Sequence, residues 1–254
     1  MFFLMRCMPL SEVDDFIKIG AMQFSQPGRW VNLAEGRGDY REGVYGYIKC
    51  YDQENIDRLE TKYSDAEQFT KDGVVYCRRK SVMKLPTYCF YSFKSNMLSI
   101  PEKSGLHDFE FLIPDSYFKD FYKNNPDDPM HVVMIIDPQA FMDRLKDSLL
   151  KLGVKDNEIL CGEVTYNCNS FKDGSWVEIA ESSPRELFNK DIDRYQEQEE
   201  FRIVVNTSNK DIIKRLNDYP NPILLGNMSA YTKKMSYPSA GLTLRGQMEI
   251  EQVK

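Results

Sequence analysis

DIDRYQEQEEFRIVVN, residues 191–206, is the stretch on which the reading of this chain turns. Charged and amide residues run as far as Glu199-Glu200 and then give way to Phe201-Arg202-Ile203-Val204-Val205, a β-branched pattern that predicts a core strand. One or two carboxylates therefore stand at the mouth of a strand. A carboxylate held between a polar loop and a buried sheet takes its pKa from its surroundings and can face a cleft. Two plainer meanings stay open: a solvated turn of Glu197, Glu199 and Glu200, or a Glu200 that pairs with Arg202 on the sheet.

Outward from that strand, the pattern alternates short strands with short helices. Ser183-Pro184-Arg185-Glu186 predicts a helix start upstream, preceded by strands over Trp176–Ala180 and Ile159–Tyr166. Asp137-Pro138 opens an amphipathic helix to about Leu152, closed by Gly153. His131–Ile136 and Phe109–Ile113 read as strands, and NNPDDP (124–129) reads as a loop between them. Val74–Arg79 and Thr87–Phe93 are expected to form a hairpin joined by a basic stretch, with Gln53–Thr70 polar and of mixed helical tendency. The basic residues Arg78, Arg79, Lys80 and Lys84 read as a nucleic-acid contact or as a solvated hairpin tip. At the start, FFLMRCM (2–8) predicts a strand with Arg6 inside it, followed by a helix capped by Ser11, packed through Val13, Phe16 and Ile17, and ended by Gly20. On the C-terminal side Asp211–Leu216 predicts a helical turn, and Met248–Val253 a last strand.

Residues 32–46, NLAEGRGDYREGVYG, are too polar for core and too long for a simple connection, so they are expected to border the site. Their glycines match neither the dinucleotide fingerprint nor a P-loop. A chain of 254 residues with 42% hydrophobic residues can bury a sizeable core, and a single domain over 1–254 is the expectation. The formal charge of -6 argues against nonspecific coating of nucleic acid but leaves room for a local basic patch. Six cysteines without a CxxC pair read as free, buried thiols of a reducing cytoplasm. Two histidines far apart, His107 and His131, give no metal site, and no segment reads as a signal peptide or membrane span. The fold class is α+β, strand-dominated, with mixed sheets and short flanking helices.

A strand carrying Arg6, a short helix, Gly20, a short strand and then Ser25 follow one another in an order that resembles the opening of the ADP-ribosyltransferase superfamily. The turn Gln196–Glu200 ahead of FRIVV resembles the place where those enzymes hold their catalytic glutamate. TYCFYSF supplies Tyr88, Tyr91 and Ser92 where the superfamily presents a Tyr or a Ser-Thr-Ser; no Ser-Thr-Ser is present here, and the first strand has no His. The chain is also similar to a group of bacterial and phage-associated proteins with an RGD/EG loop (here Arg37 to Gly43) and a YxxQxEFR segment (here Tyr195 to Arg202).

The first resemblance implies an ADP-ribosyltransferase-like fold and NAD as a substrate, with no metal. Glu199, Glu200 and Tyr91 would be catalytic, and Arg6, Ser25, Tyr88 and Ser92 would bind NAD. The expected partners are a nucleic-acid or protein acceptor and an inhibitory protein, with no membrane, in a cytoplasmic toxin or antiviral-defence effector. The other reading is a noncatalytic phage or mobile-element protein that engages a host protein or a nucleotide.

Overall fold

The computed structural model describes residues 2–31, 39–49, 54, 63–94, 105–113, 129–167, 176–179, 184–191, 199–236 and 242–250. Along the chain these form β1 (Phe2–Pro9), α1 (Leu10–Ile19), β2 (Ala21–Met22), α2 (Pro27–Trp30), β3 (Val44–Lys49), β4 (Ala66–Lys71), β5 (Val74–Arg79), β6 (Thr87–Lys94), β7 (Gly105–Ile113) and β8 (Met130–Ile135). There follow α3 (Pro138–Lys151), β9 (Ile159–Glu163), β10 (Thr165–Asn167), β11 (Trp176–Glu178), β12 (Asn189–Asp191), β13 (Glu200–Val205), α4 (Lys210–Asn217), β14 (Ile223–Leu224), β15 (Thr232–Ser236) and β16 (Leu242–Ile250). Antiparallel sheets dominate and helices are few, so the class is α+β as the sequence pattern implies. The acidic run 192–198, residues 32–38 of the glycine-rich loop, and most of NNPDDP lie outside the described residues, as does the stretch after Pro114-Asp115 whose sequence suggests a short helix through Tyr122.

The chain divides into two compact units, one of Met1–Ala21, Phe90–Leu145 and Leu224–Lys254, the other of Met22–Cys89 and Lys146–Ile223. In the first, the strand order is β15-β8-β1-β6, and β7 pairs separately with β16 over Gly105–Ile113 and Leu242–Ile250. Leu4 lies in register with Ser92 on one side and Ile135 on the other. Leu4, Met5, Val132, Val133 and Ile135 are buried there, with Val13 and Phe16 of α1. Phe141 of α3 meets Phe90 edge-on at 5.3 Å; burying a ring of that size contributes about 2–3 kcal/mol. α1 ends where expected, because Gly20 takes the left-handed conformation (φ 66°). A side chain there would sit 2.6 Å from the Leu225 Cβ. Its start differs: Pro9 precedes the helix and no side chain caps it, so Ser11 is a first-turn residue instead of the cap.

The second unit holds an antiparallel sheet in the order β11-β3-β5-β4. Its packing is aromatic: Phe69 stacks on Tyr76 at 5.3 Å, and Tyr40 meets Tyr76 edge-on at 5.6 Å. That packing explains why Ala66–Lys71 is a strand although Gln53–Thr70 reads as polar and of mixed helical tendency: alternation places Phe69 against Tyr76 across the register. β5 pairs with β3 and β4, so the expected hairpin of β5 with β6 does not form. The first residues of β6 instead lie beside β13, with β9 beyond it, and the Val205 N–H donates to the Pro86 carbonyl. β10 and β12 run parallel, with Tyr166 in register with Lys190. The segment expected to open a helix at Ser183 is a 3₁₀ turn over Arg185–Phe188 that leads into β12.

Four cysteines are described, and all are free. Cys7 and Cys77 are buried as expected, Cys89 is partly buried, and Cys161, on the end strand β9, is exposed.

Candidate functional site

β13 begins in a group of buried charges. Strand alternation puts Glu200 and Arg202 on one face, two residues apart, and the Arg202 Nε donates to Glu200 Oε1 at 2.8 Å. Its two terminal nitrogens reach the second carboxylate, Glu42, at 2.9 Å for Nη2 to Oε2 and through Nη1 to Oε1. Nη2 also donates to Glu200 Oε2 at 3.3 Å, and Nη1 to the Leu187 carbonyl. All five guanidinium donors are thereby used, which is the condition for burying this group without a large penalty. Arg202 is fully buried, and the Trp30 ring lies 5.5 Å from its guanidinium carbon.

The parallel β10–β12 pair supplies the other side. Lys190 places Nζ 2.7 Å from Glu200 Oε2, and the Glu200 N–H donates to the Tyr166 hydroxyl at 2.9 Å. Glu42 and Glu200 are thus set against Arg202 and Lys190. Burial opposes the charge on Glu200, but Arg202 and Lys190 outweigh it and hold the carboxyl well below the usual range. Burial likewise opposes the charge on Lys190, yet Glu200 leaves its ammonium raised overall. The Cys89 thiol, pushed well up by burial and then by Glu200, hydrogen-bonds to that carboxylate.

Asp39 stands apart from this balance. Burial, then the charge of Glu42, pushes its carboxyl up to about 6. Oδ1 accepts from the Arg41 N–H at 2.9 Å, while Oδ2 is buried with no hydrogen-bond partner among the described residues. Both Asp39 and Glu42 come from the glycine-rich loop that the sequence placed at the border of a site. Lys190 carried no sequence signal, since its position depends on the β10–β12 register.

The expected site residues fall into both units. In the second, Glu199 precedes β13, is partly exposed, and adopts φ 40°, a left-handed conformation uncommon outside glycine and usually costing 1–3 kcal/mol. Ser25 bridges to Thr87, and its Oγ accepts from Trp30 Nε1 at 3.3 Å. Tyr88 is buried against Phe24, ring centres 5.8 Å apart. Ser25 therefore connects through Trp30 to Arg202, and Glu199 adjoins Glu200. In the first unit, Tyr91 and Ser92 are buried in β6, in register with Met5 and Leu4. Arg6 is partly exposed, and at its position the pairing of β1 continues only toward β8, with Val133.

The other end of β13 opens on a cleft of about 910 Å³ in the second unit. Asn206, Thr207 and Ser208 form part of its wall, with α4, the end of β5 and the 3₁₀ turn at Val82–Lys84. Among the described residues no group of His, Cys, Asp and Glu is arranged to hold a metal ion, and no helix is long and apolar enough to cross a membrane. No family model, curated protein or solved structure matches the chain.

Proposed function

We propose that the chain is an ADP-ribosyltransferase with an ADP-ribosyltransferase-like fold, one that cleaves NAD and transfers its ADP-ribosyl group to a nucleic-acid or protein acceptor. The observation that carries the reading is Glu199, a partly exposed carboxylate held in a left-handed backbone conformation at the mouth of β13. Strain of this kind persists where the surrounding structure fixes it, and it concentrates at functional sites.

The reaction breaks the bond between nicotinamide and the ribose carbon. Positive charge develops on that carbon, and a nearby carboxylate stabilises it while accepting a ribose hydroxyl hydrogen bond. The acceptor's nucleophilic atom then bonds to the carbon, nicotinamide departs, and the acceptor's proton is taken up by the carboxylate or by water. Glu199 suits this role better than Glu200, whose oxygens are committed to Arg202 and Lys190. Glu200 acts as a positioning residue that anchors the start of β13. A cytoplasmic toxin or antiviral effector, restrained by an inhibitory protein, is the setting in which such an activity belongs.

The commitment of Glu200 also favours a second reading, a noncatalytic module that binds a nucleotide or a host protein. Incubation with labelled NAD together with cell protein, single-stranded DNA or RNA separates the two. Transfer to one fraction is expected, with Glu199→Gln reducing it at least about a hundredfold while thermal melting stays unchanged. Absence of NAD consumption overturns the transferase and leaves the binding module, whereas full activity in Glu199→Gln overturns the assignment of Glu199 as the catalytic carboxylate.

A further inference from the structure

Six basic residues line the cleft at the far end of β13: Arg29 on α2, Arg79 and Lys80 at the end of β5, Lys84 in the 3₁₀ turn, and Lys210 and Lys214 on α4. Among the described residues only two acids share it. Asp65 is engaged by Arg79 at 3.2 Å and by the Ser81 N–H, and Asp218 accepts from Asn221. Arg79 is the one basic residue of this set with an ion-pair partner. Arg29, Lys80, Lys84, Lys210 and Lys214 are exposed and have no carboxylate within ion-pair distance among the described residues. A chain of net charge -6 thus gathers five unneutralised cations around one concavity. Such focusing attracts an anionic ligand and raises its local concentration.

We infer that this cleft binds the phosphodiester backbone of a single nucleic-acid strand. The ligand chemistry is phosphate: four of the five unpaired cations are lysines, which serve as point charges toward phosphate, and Ser81, Asn206 and Ser208 add neutral hydrogen-bonding groups. The number and spread of cations favour a strand over a small molecule. They come from four separate elements, and a strand presents one charge per nucleotide, whereas a pyrophosphate concentrates its charge at one point. Among the described residues no aromatic side chain lines the cleft, and contacts to phosphate carry no base information, so binding is expected to be insensitive to sequence. The six residues of β13 separate the cleft from Glu199 by about 20 Å. The cleft therefore holds the strand away from that carboxylate. Binding of the strand in this cleft does not rest on the transferase reading.

The test is fluorescence anisotropy with fluorescein-labelled dT20 and U20, without NAD, at 50 and 200 mM salt. The variants are Lys80→Ala with Lys84→Ala, and Lys210→Ala with Lys214→Ala. Lys151→Ala with Lys233→Ala removes the same charge elsewhere. Each cleft pair is expected to weaken binding at least tenfold at low salt and to flatten the salt dependence by about 1.4 log units per log unit, at ~0.7 for each lost phosphate contact. The control pair is expected to change binding less than twofold. Absence of strand binding at 50 mM salt overturns the inference, and so does an equal loss in the control. Displacement of the strand by ATP or pyrophosphate at matched phosphate concentration reassigns the cleft to a small nucleotide, and displacement by polyglutamate reassigns it to an acidic protein. Strand binding that depends on the cleft lysines while NAD is left untouched keeps this inference and removes the transferase.

Discussion

β13 joins two regions that use cations in opposite ways. At its start, Arg202 and Lys190 are buried and matched by Glu42 and Glu200, with every guanidinium donor engaged. At its end, lysines of α4 and of the β5 side stand exposed around a cleft, with no carboxylate within ion-pair distance of them among the described residues. A dry cation cannot be left unpaired, because desolvation costs several kcal/mol, whereas a wet one costs almost nothing and stays available. The first region therefore belongs to folding and to the positioning of Glu199, and the second to a ligand. Substitutions at the two ends should separate in the same way, by stability at one end and by binding at the other.

Arg202→Met should have the largest effect. It keeps much of the side-chain volume but leaves Glu42 and Glu200 buried with only Lys190 to answer them, and breaking a buried pair in this way costs about 3–5 kcal/mol. Set against a total stability of about 5–15 kcal/mol for a chain of this kind, that is a loss of about a fifth or more. Urea denaturation measures it. A loss below about 1 kcal/mol would mean that the group is solvated and that the contrast between the two ends of β13 does not hold.

Asp39 sharpens the contrast from within the buried end. Its folded pKa of about 6 lies above the unfolded value of about 3.9, so the folded state prefers the protonated form. Stability is then lost as pH rises from about 4 through 6, and the full cost, about 3 kcal/mol at ~1.4 per unit, applies above that window. Asp39→Asn keeps an oxygen for the Arg41 N–H and removes the charge. It should match the parent near pH 3, below the unfolded pKa, and exceed it at pH 8. A variant less stable than the parent at pH 8 would show that the Asp39 charge is needed by Arg202 or Lys190.

Local pattern made part of this legible. The alternation in EFRIVV gave a buried strand, and the two-residue spacing of Glu200 and Arg202 allowed the pair that forms. The polar, glycine-rich loop was placed beside a site, and it delivers Asp39 and Glu42. The partner strands were not legible. β5 and β6 are adjacent in sequence with a turn between them, which favours a hairpin, yet β5 has better aromatic partners in β3 and β4. Lys190 reaches Glu200 only through the β10–β12 register, a long-range fact with no local trace. The cleft was half visible: Arg79, Lys80 and Lys84 lie close in sequence, but Lys210 and Lys214 join them only after α4 is placed.

The smallest effect on stability belongs to the cleft lysines, and it is informative because of its sign. Lys210 and Lys214 lie four residues apart on α4, where like charges repel by a few tenths of a kcal/mol, and Lys210 stands at the helix N-terminus, where a cation is disfavoured. Alanine also has the higher helix propensity. Lys210→Ala with Lys214→Ala should therefore leave stability unchanged or raise it by about 0.5 kcal/mol at low salt, with the gain fading at 1 M salt as the repulsion is screened. Thermal melting at the two salt concentrations measures this. A loss of more than about 1 kcal/mol would mean that these lysines are held by carboxylates and that the two ends of β13 use their charges alike. A gain in stability beside a loss of strand binding would show that the cations are kept at a cost to the fold, as a binding surface requires.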